Sequence, residues 1–408
     1  LVSASMKILL KSDEMSESVE SLRENILKYG KMRKHISEFA TTKSSFDHDF
    51  IDNVNTLDDL SHIGQRTKCI ETFMNFIQDT NLESYDFMSV SKHVFENGGL
   101  DHNLIQIFKK NQIGGTREIL ILHRDWRILT NFLETISRAI GHKIKSEMLT
   151  KGSDKVELID AAYSECRSMF DKQVYNININ ADMSTWAQRF DPIMFKYVFK
   201  FLINKGTYHS MILPILESHA NKKIEMPRKL VELFMTNYEI GKSHLFLDEM
   251  YNYFKSNNNR PWFINKSNMG QGILHFTSSI IHSAESALEK EIYLRCLRRM
   301  KINEKVVSIR QFVSSDDKLV TLFINSDLER SRSLLHLFKI CSYASRCQFS
   351  IKENPIKTSY TSVMREFNSL WSIGTKNYPI TLKFAIQSVP VPSTDSPLTM
   401  ITNLLMSV

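Results

Sequence analysis

The chain has 408 residues, 42% of them hydrophobic and 24% charged, with a net charge of +7. This composition excludes a disordered or fibrous protein and supports a core large enough for two or three lobes. The basic balance suits an anionic partner such as nucleic acid without requiring one.

The five cysteines (Cys69, Cys166, Cys296, Cys341 and Cys347) are odd in number, widely spaced and free of any C-x-x-C pair. They argue against a disulfide framework or a structural zinc site and for a reducing compartment. No apolar run approaches the ~18 residues of a membrane span, and the N-terminus has no signal-peptide pattern. The chain begins at Leu1 rather than Met and ends after the apolar stretch Met400 to Val408. A piece of a longer polypeptide is therefore expected.

In chain order, residues 1 to about 105 read mainly as helices, with helical spacing clearest over Asp13–Tyr29 and Cys69–Asn81. Residues 116–122 look like a strand, followed by a helix from Trp126 to Ile140. Val174–Asp182 is a plain strand: Ile177, Ile179 and Ala181 alternate with Asn176, Asn178, Asn180 and Asp182, so the polar set shares one face. A helix follows Asp191 and Pro192, which suit its cap and first position. Residues 221–265 look polar and irregular. A helix is expected over Thr277–Met300. Val306–Val313 and Leu319–Ile324 then form a hairpin across a Ser/Asp turn, with no Gly to supply the usual turn chemistry. Residues 332–348 read as helix and 378–388 as a further strand. The whole predicts an α+β chain whose mixed sheet is covered by helices.

Several groups of residues carry possible chemistry. Asp316 and Asp317 sit at the hairpin tip, where carboxylates are held rigidly and can serve hard divalent cations. Taken alone, Ser314-Ser-Asp-Asp317 is better explained as an ordinary turn. Asp182, at the end of a separate strand, supplies a second carboxylate source. Convergent carboxylates can hold two metals ~3.5–4 Å apart for in-line phosphoryl transfer. Gln112-Ile-Gly-Gly-Thr-Arg-Glu118 lets backbone approach a ligand and offers Arg117 to phosphate, although a hairpin turn with a surface arginine explains it too. Gly270 and Gly272 flank Gln271 in a loop ahead of a helix. The basic cluster Arg295, Arg298, Arg299, Lys301 and Lys305 is chiefly a helix C-terminus complementing its dipole.

The order of these pieces resembles the polymerase motifs of the L proteins of segmented negative-strand RNA viruses, the bunyavirus group, nearest the phlebovirus and tenuivirus branch. Gln112 to Ile119 resembles their motif F, Ala181-Asp-Met-Ser-Thr-Trp186 motif A, and Gln271-Gly-Ile-Leu-His-Phe-Thr-Ser-Ser279 motif B. Ser315-Asp-Asp317 resembles motif C, Asn354-Pro-Ile-Lys-Thr358 motif D and Glu366-Phe-Asn-Ser369 motif E. The likeness spans about residues 105–375. One departure stands out: the family usually has Lys before the motif A Trp, where this chain has Thr185.

The resemblance implies a right-hand polymerase core of fingers, palm and the start of a thumb, with an antiparallel palm sheet. Fingers with motif F would occupy 1–173, palm with motif A 174–215, a fingers insertion 216–265, palm with motifs B, C and D 266–365, and motif E with the start of the thumb 366–408. Asp182, Asp316 and Asp317 would be catalytic and bind Mg²⁺ or Mn²⁺. Arg117, Gln271, Gly272 and Lys357 would meet the nucleotide, and Ser278, Ser279 and Glu366 the template and primer. The implied activity is RNA-directed RNA synthesis for viral genome replication and transcription, in the host cytoplasm and virion. Its partners would be RNA template and product, nucleoside triphosphates, nucleoprotein-coated RNA and the remainder of the L polypeptide. Other classes compete: a non-catalytic RNA-binding or scaffold fragment, an inactive endogenous viral copy, and a two-metal nuclease.

Overall fold

A computed structural model of the chain describes residues 1–32, 44–112, 115–170, 174–203, 206–236, 244–368, 370–373 and 376–378. The amino-terminal part is helical, as its apolar spacing predicts, but the breaks differ. Helix α1 (Val2–Lys11) stops at Ser12, and α2 (Val19–Met32) starts after it. Ser12 and Ser16 turn their hydroxyls onto the carbonyls of Leu9 and Lys143, which favours a cap and a loop over one continuous helix from Asp13. A short pair, β1 (Ser44–Ser45) and β2 (Thr67–Lys68), precedes α3 (Cys69–Asp79) and α4 (Phe87–Glu96), the latter capped by Asp86.

Strands β3 (Leu104–Gln112) and β4 (Gly115–Leu122) form a long antiparallel hairpin, of which the sequence reading found only the second arm. Helix α5 (Arg124–His142) leaves β4, and α6 (Lys155–Ser168) leads to strand β5 (Tyr175–Asp182). Asp191 caps the turn that follows through the Ile193 N–H (3.0 Å), as expected, but only a 3-10 turn and α7 (Lys196–Phe199) form there. The stretch 221–265 is more regular than its polarity suggests. After α8 (Thr207–His219) it contains β6 (Lys222–Glu225), α9 (Arg228–Met235), α10 (Leu245–Ser256) and β7 (Trp262–Asn265). Val231, Phe234 and Phe254 build a local core there with Val54 and Leu60, and this tertiary burial supplies what local pattern does not. β3, β4, β6 and β7 make one sheet in the order β4-β3-β6-β7.

Helix α11 (His275–Arg299) is the spine of the molecule. Its first half is buried on nearly every side, between α1, α5 and the next sheet. The hairpin β8 (Val307–Ser314) and β9 (Asp317–Ile324) follows, then α12 (Leu328–Gln348), capped by Asp327. Strand β10 (Ser359–Thr361) completes a four-stranded antiparallel sheet in the order β10-β5-β9-β8. Strands β11 (Met364–Phe367), β12 (Leu370–Ile373) and β13 (Lys376–Tyr378) form a small meander against it. Most of the strand expected at 378–388 lies outside the described residues.

The period of two divides the four-stranded sheet into two faces. Ile179, Val320, Leu322 and Ile309 point to α11 and α12, where they pack on Tyr293, Leu297, Leu334 and Phe338. Phe312, Leu319 and Phe323 point the other way, toward α6 and β11. Asn178, Asn180 and Asp182 belong to this second face, as the alternation predicts, and the Asn180 amide oxygen accepts the Glu366 N–H of β11 (2.9 Å). The chain is thus a mixed helix and strand protein of the α+β kind.

Candidate active site

Register sets the site. β5 and β9 are neighbours, and their pairing puts Asp182 directly opposite Asp317. β8 and β9 close through a two-residue turn, Ser315-Asp316, so Asp316 stands beside the same strand end. The Met183 N–H donates to the Asp316 carbonyl (3.1 Å), and the Asn354 N–H donates to the Asp182 carbonyl (2.8 Å). Asp182 is therefore fixed from both sides by backbone bonds, one to the hairpin tip and one to the 352–358 loop.

The electrostatics converge on Asp317. Burial, then the charges of Asp316, Glu366 and Asp182, push its carboxyl up to about 7, and Lys357 opposes them. Like charges this close disfavour simultaneous ionisation, a cost that a bound cation would relieve. Lys357 reaches Asp182 Oδ2 at 3.3 Å and is itself largely exposed. The Asn368 amide, oriented to satisfy its neighbours, donates to the Asp317 carboxylate and accepts from Lys155 Nζ (3.1 Å) and Ser314 Oγ (2.9 Å). Oxygen donors of this kind fit a hard divalent cation.

Other expected residues fall as follows. Gln271 and Gly272 are exposed at the tip of the loop before α11. Gly270 has φ +78, a left-handed conformation that strains any side chain, and a Cβ there would lie 2.5 Å from Ile273 Cδ1. Arg117 lies on β4 opposite Lys110; its side chain and the residues 113–114 lie outside the description. Ser278 and Ser279, expected at the template and primer, sit inside the fold. Both are fully buried. Ser278 Oγ accepts from Trp186 Nε1 (3.2 Å), and Ser279 Oγ donates to Glu147 (2.6 Å). Their hydroxyls are used inside the protein, because α11 turns these residues toward Trp186, Glu147 and the hairpin turn rather than toward solvent. In the basic cluster, Arg295 and Arg298 pair with Glu291, and Arg298 also with Glu304, as a helix-end reading expects. Thr185 has φ +50 and accepts a hydrogen bond from Arg189 Nε (2.9 Å).

Sequence reading missed the groups that hold these parts in place. Lys222, 1% exposed, points Nζ at the carbonyls of His219 (3.0 Å), Ser267 (3.0 Å), Asn268 (2.6 Å) and Asn265 (3.4 Å). Burial lowers its pKa to about 8. Several carbonyls sharing one nitrogen keep the ammonium form at neutral pH, since that form supplies three donors. Lys222 thereby anchors the base of the Gln271 loop. Glu134 of α5 accepts from the N–H groups of Phe276 (2.8 Å) and Thr277 (3.1 Å), capping α11 from another helix. Lys318, on the opposite face from Asp317, is buried between Glu285 (2.9 Å) and Glu289 (3.0 Å) of α11. A lone Lys or Glu in these segments carries no periodic signal.

A second cluster competes for the name of metal centre. Among the described residues, His102, His123 and Asp125 form a trio whose ligand atoms all lie within 4.8 Å of one another. Their bonds argue for a structural network instead. Asp125 accepts from His102 Nδ1 (2.9 Å) and Arg124 Nε (2.8 Å), and His123 Nδ1 accepts the Asp125 N–H (3.2 Å). The carboxylate is already paired with Arg124 and His102, and His123 caps the start of α5.

Comparison with known proteins agrees with the motif order. A family model described as Bunyavirus RNA dependent RNA polymerase matches residues 2–394. The chain is 28% identical over 334 residues to RNA-directed RNA polymerase L of Rice stripe virus, covering 74% of the chain and 11% of that protein. It is 23% identical over 310 residues to the L polymerase of Toscana virus (72% of the chain, 14% of that protein). It is 24% identical over 349 residues to that of Dabie bandavirus (81% and 16%). The chain thus spans only a small part of the length of the relatives it matches. No helix among the described residues is long and apolar enough to cross a membrane.

Proposed function

This chain belongs to the bunyavirus RNA-dependent RNA polymerase family, and we propose that it is the catalytic core of an enzyme that extends RNA on an RNA template. The observation that carries the reading is the strand-paired Asp182 and Asp317 with Asp316 in the adjoining turn, a carboxylate group in which burial, and then the neighbouring negative charges, lift Asp317 to about 7. On this reading the sheet β10-β5-β9-β8 is the palm. The sheet β4-β3-β6-β7 with the amino-terminal helices belongs to the fingers, and 366–408 opens toward the thumb.

In the proposed reaction a primer 3′-hydroxyl attacks the α-phosphorus of a nucleoside triphosphate, the bond to the β-phosphate oxygen breaks, and pyrophosphate leaves. Two Mg²⁺ or Mn²⁺ ions, when bound, supply charge neutralisation at the attacking and leaving oxygens. Asp182, Asp316 and Asp317 are the residues that would hold them. Lys357, beside Asp182, faces the same charge and is the candidate proton donor or counter-charge for the leaving pyrophosphate. Arg117, on β4, is the candidate triphosphate ligand. The exposed Gln271–Gly272 tip is the candidate contact to template and nucleotide, and Glu366 supports the primer side. Catalysis of this kind is mostly positioning and charge neutralisation, which a rigid hairpin and a clamped loop are suited to provide. Nucleoprotein-coated RNA and the remaining L polypeptide are the proposed partners, in host cytoplasm and virion.

The test is primer extension by full-length L protein carrying Asp316→Ala. We expect extension to fall to background with RNA binding retained. Extension equal to the parent would overturn the site assignment. RNA cleavage in place of extension would favour a nuclease.

A further inference from the structure

The hairpin tip is built from an unfavourable residue. Ser315, the first of the two turn residues, has φ +58. Glycine is the usual occupant of such a turn position, because a side chain crowds the backbone in the left-handed region. Ser315 is also buried, at 2% exposure. Its backbone groups accordingly need partners that hold this conformation in place.

Both partners come from α11. The Ser315 N–H donates to Ser279 Oγ (3.2 Å). The Ser315 carbonyl lies 2.6 Å from His282 Nδ1, so that nitrogen carries the proton and donates. His282 Nε2 is buried without a partner, which fits a ring protonated on Nδ1 alone. Burial and the nearby Lys318 keep the ring neutral, with its pKa lowered to about 3. The ring packs on Trp186, centroid to centroid 4.8 Å, which restricts its rotation. Ser279 in turn donates to Glu147 Oε1 (2.6 Å), and Glu147 accepts from the N–H groups of Leu149 (2.9 Å) and Thr150 (3.1 Å). Having given its proton to Glu147, the Ser279 oxygen presents a lone pair to Ser315.

We propose that Ser279 and His282 are positioning residues that clamp Ser315 in a glycine-like conformation, so that Asp316 and Asp317 are presented toward Asp182. Glu147 orients Ser279 within this clamp. The functional part rests on the polymerase reading; the clamp itself does not. The arrangement also joins three motif segments at one residue. Trp186 follows Asp182, Ser279 and His282 lie on α11, and Ser315 precedes the paired aspartates.

The experiment uses full-length L protein and chemically paired variants. His282→Asn keeps an N–H donor near the position of Nδ1, whereas His282→Gln moves it to the position of Nε2. Ser279→Ala removes the acceptor, and Ser279→Ala with Ser315→Gly removes the strain the acceptor opposes. Extension is measured against Mn²⁺ and nucleotide concentration, and amide exchange is followed at residues 315–318. We expect Ser279→Ala and His282→Gln to raise half-saturating Mn²⁺ by ~10-fold or more, the scale of one lost hydrogen bond. The nucleotide KM should stay near the parent's. His282→Asn and the Ser279→Ala/Ser315→Gly pair should recover most of the loss. Amide exchange at Ser315 should quicken in Ser279→Ala while that of Leu319 to Phe323 holds.

Equal loss in His282→Asn and His282→Gln, or no rescue by Ser315→Gly, would overturn the proposal. A variant that fails to fold would show fast exchange throughout β8 and β9; if only Ser279→Ala or His282→Gln did so, the role would be structural and the proposal would fail. A parent protein unable to extend primers would defeat the polymerase reading. The exchange rates at Ser315 would still decide whether the clamp exists.

Discussion

Replacing Asp317 by Asn should make the hairpin more stable in the absence of divalent cations. The raised pKa is the reason. In the unfolded chain Asp317 ionises near the ordinary value of 3.8, and in the fold only near 7. A group whose folded pKa is raised contributes its full stability below the unfolded value and loses it as pH climbs to the folded value. The parent therefore loses stability relative to the Asp317→Asn variant between pH 4 and 7 and levels off above. A rise of this size corresponds to roughly 4 kcal/mol at full weight. The side chain is partly open to solvent, so we take about half, ~2 kcal/mol. Amide exchange of β5, β8 and β9 in full-length protein, in chelator at pH 8, should be roughly 30-fold slower in Asp317→Asn wherever exchange needs opening of this sheet. At pH 5 the advantage should shrink below half. Saturating Mg²⁺ or Mn²⁺ should slow exchange in the parent far more than in the variant. Equal exchange of the two proteins in chelator at pH 8 would refute the argument that carboxylate crowding is stored at this turn.

Two further outcomes follow from groups the sequence did not advertise. Lys318→Met should destabilise the protein by ~3–5 kcal/mol, because Glu285 and Glu289 would be left buried without their counter-charge. A Glu285→Gln/Glu289→Gln background should recover much of the loss, and denaturant melting of the chain reads both. Lys222→Met should free several carbonyls at the base of the Gln271 loop, each costing ~1 kcal/mol or more if it stays dry. Exchange at Met269, whose N–H bonds to Ala187, should then quicken while β3 and β4 remain protected.

The sequence made the linear order of the site legible, but not its support. Alternation in β5 places Asp182 with Asn178 and Asn180 on one face, and β-branched runs mark β8 and β9. Hence the pairing of Asp182 with Asp317 follows once the two strands are neighbours. Neighbourhood itself is a tertiary fact. What stayed hidden are bonds between residues more than a hundred positions apart, such as Glu134 to Thr277 and Glu147 to Ser279. Their donors, Thr277 and Ser279, lie in a run of small polar residues on α11, where no period of two or 3.6 singles them out. Ser278 and Ser279 illustrate the same limit. A Ser-Ser pair on a helix after a glycine loop reads as ligand-facing, and only the tertiary contacts to Trp186, Glu147 and Ser315 reveal that both point inward. The irregular look of 221–265 misled for a different reason: α9 and α10 are short and owe their order to a shared core with Val54 and Leu60.

Templated RNA synthesis at this site requires divalent cations to bind at Asp182, Asp316 and Asp317. Iron-directed cleavage of full-length L protein tests it directly, because Fe²⁺ occupying an Mg²⁺ site cuts the backbone beside its ligands in the presence of ascorbate and peroxide. Cuts are expected within a few residues of Asp182 and of Asp316–Asp317, suppressed by excess Mg²⁺ and lost in Asp316→Asn. Cuts confined to the surroundings of His102, His123 and Asp125, with residues 180–184 and 314–319 intact, would contradict it.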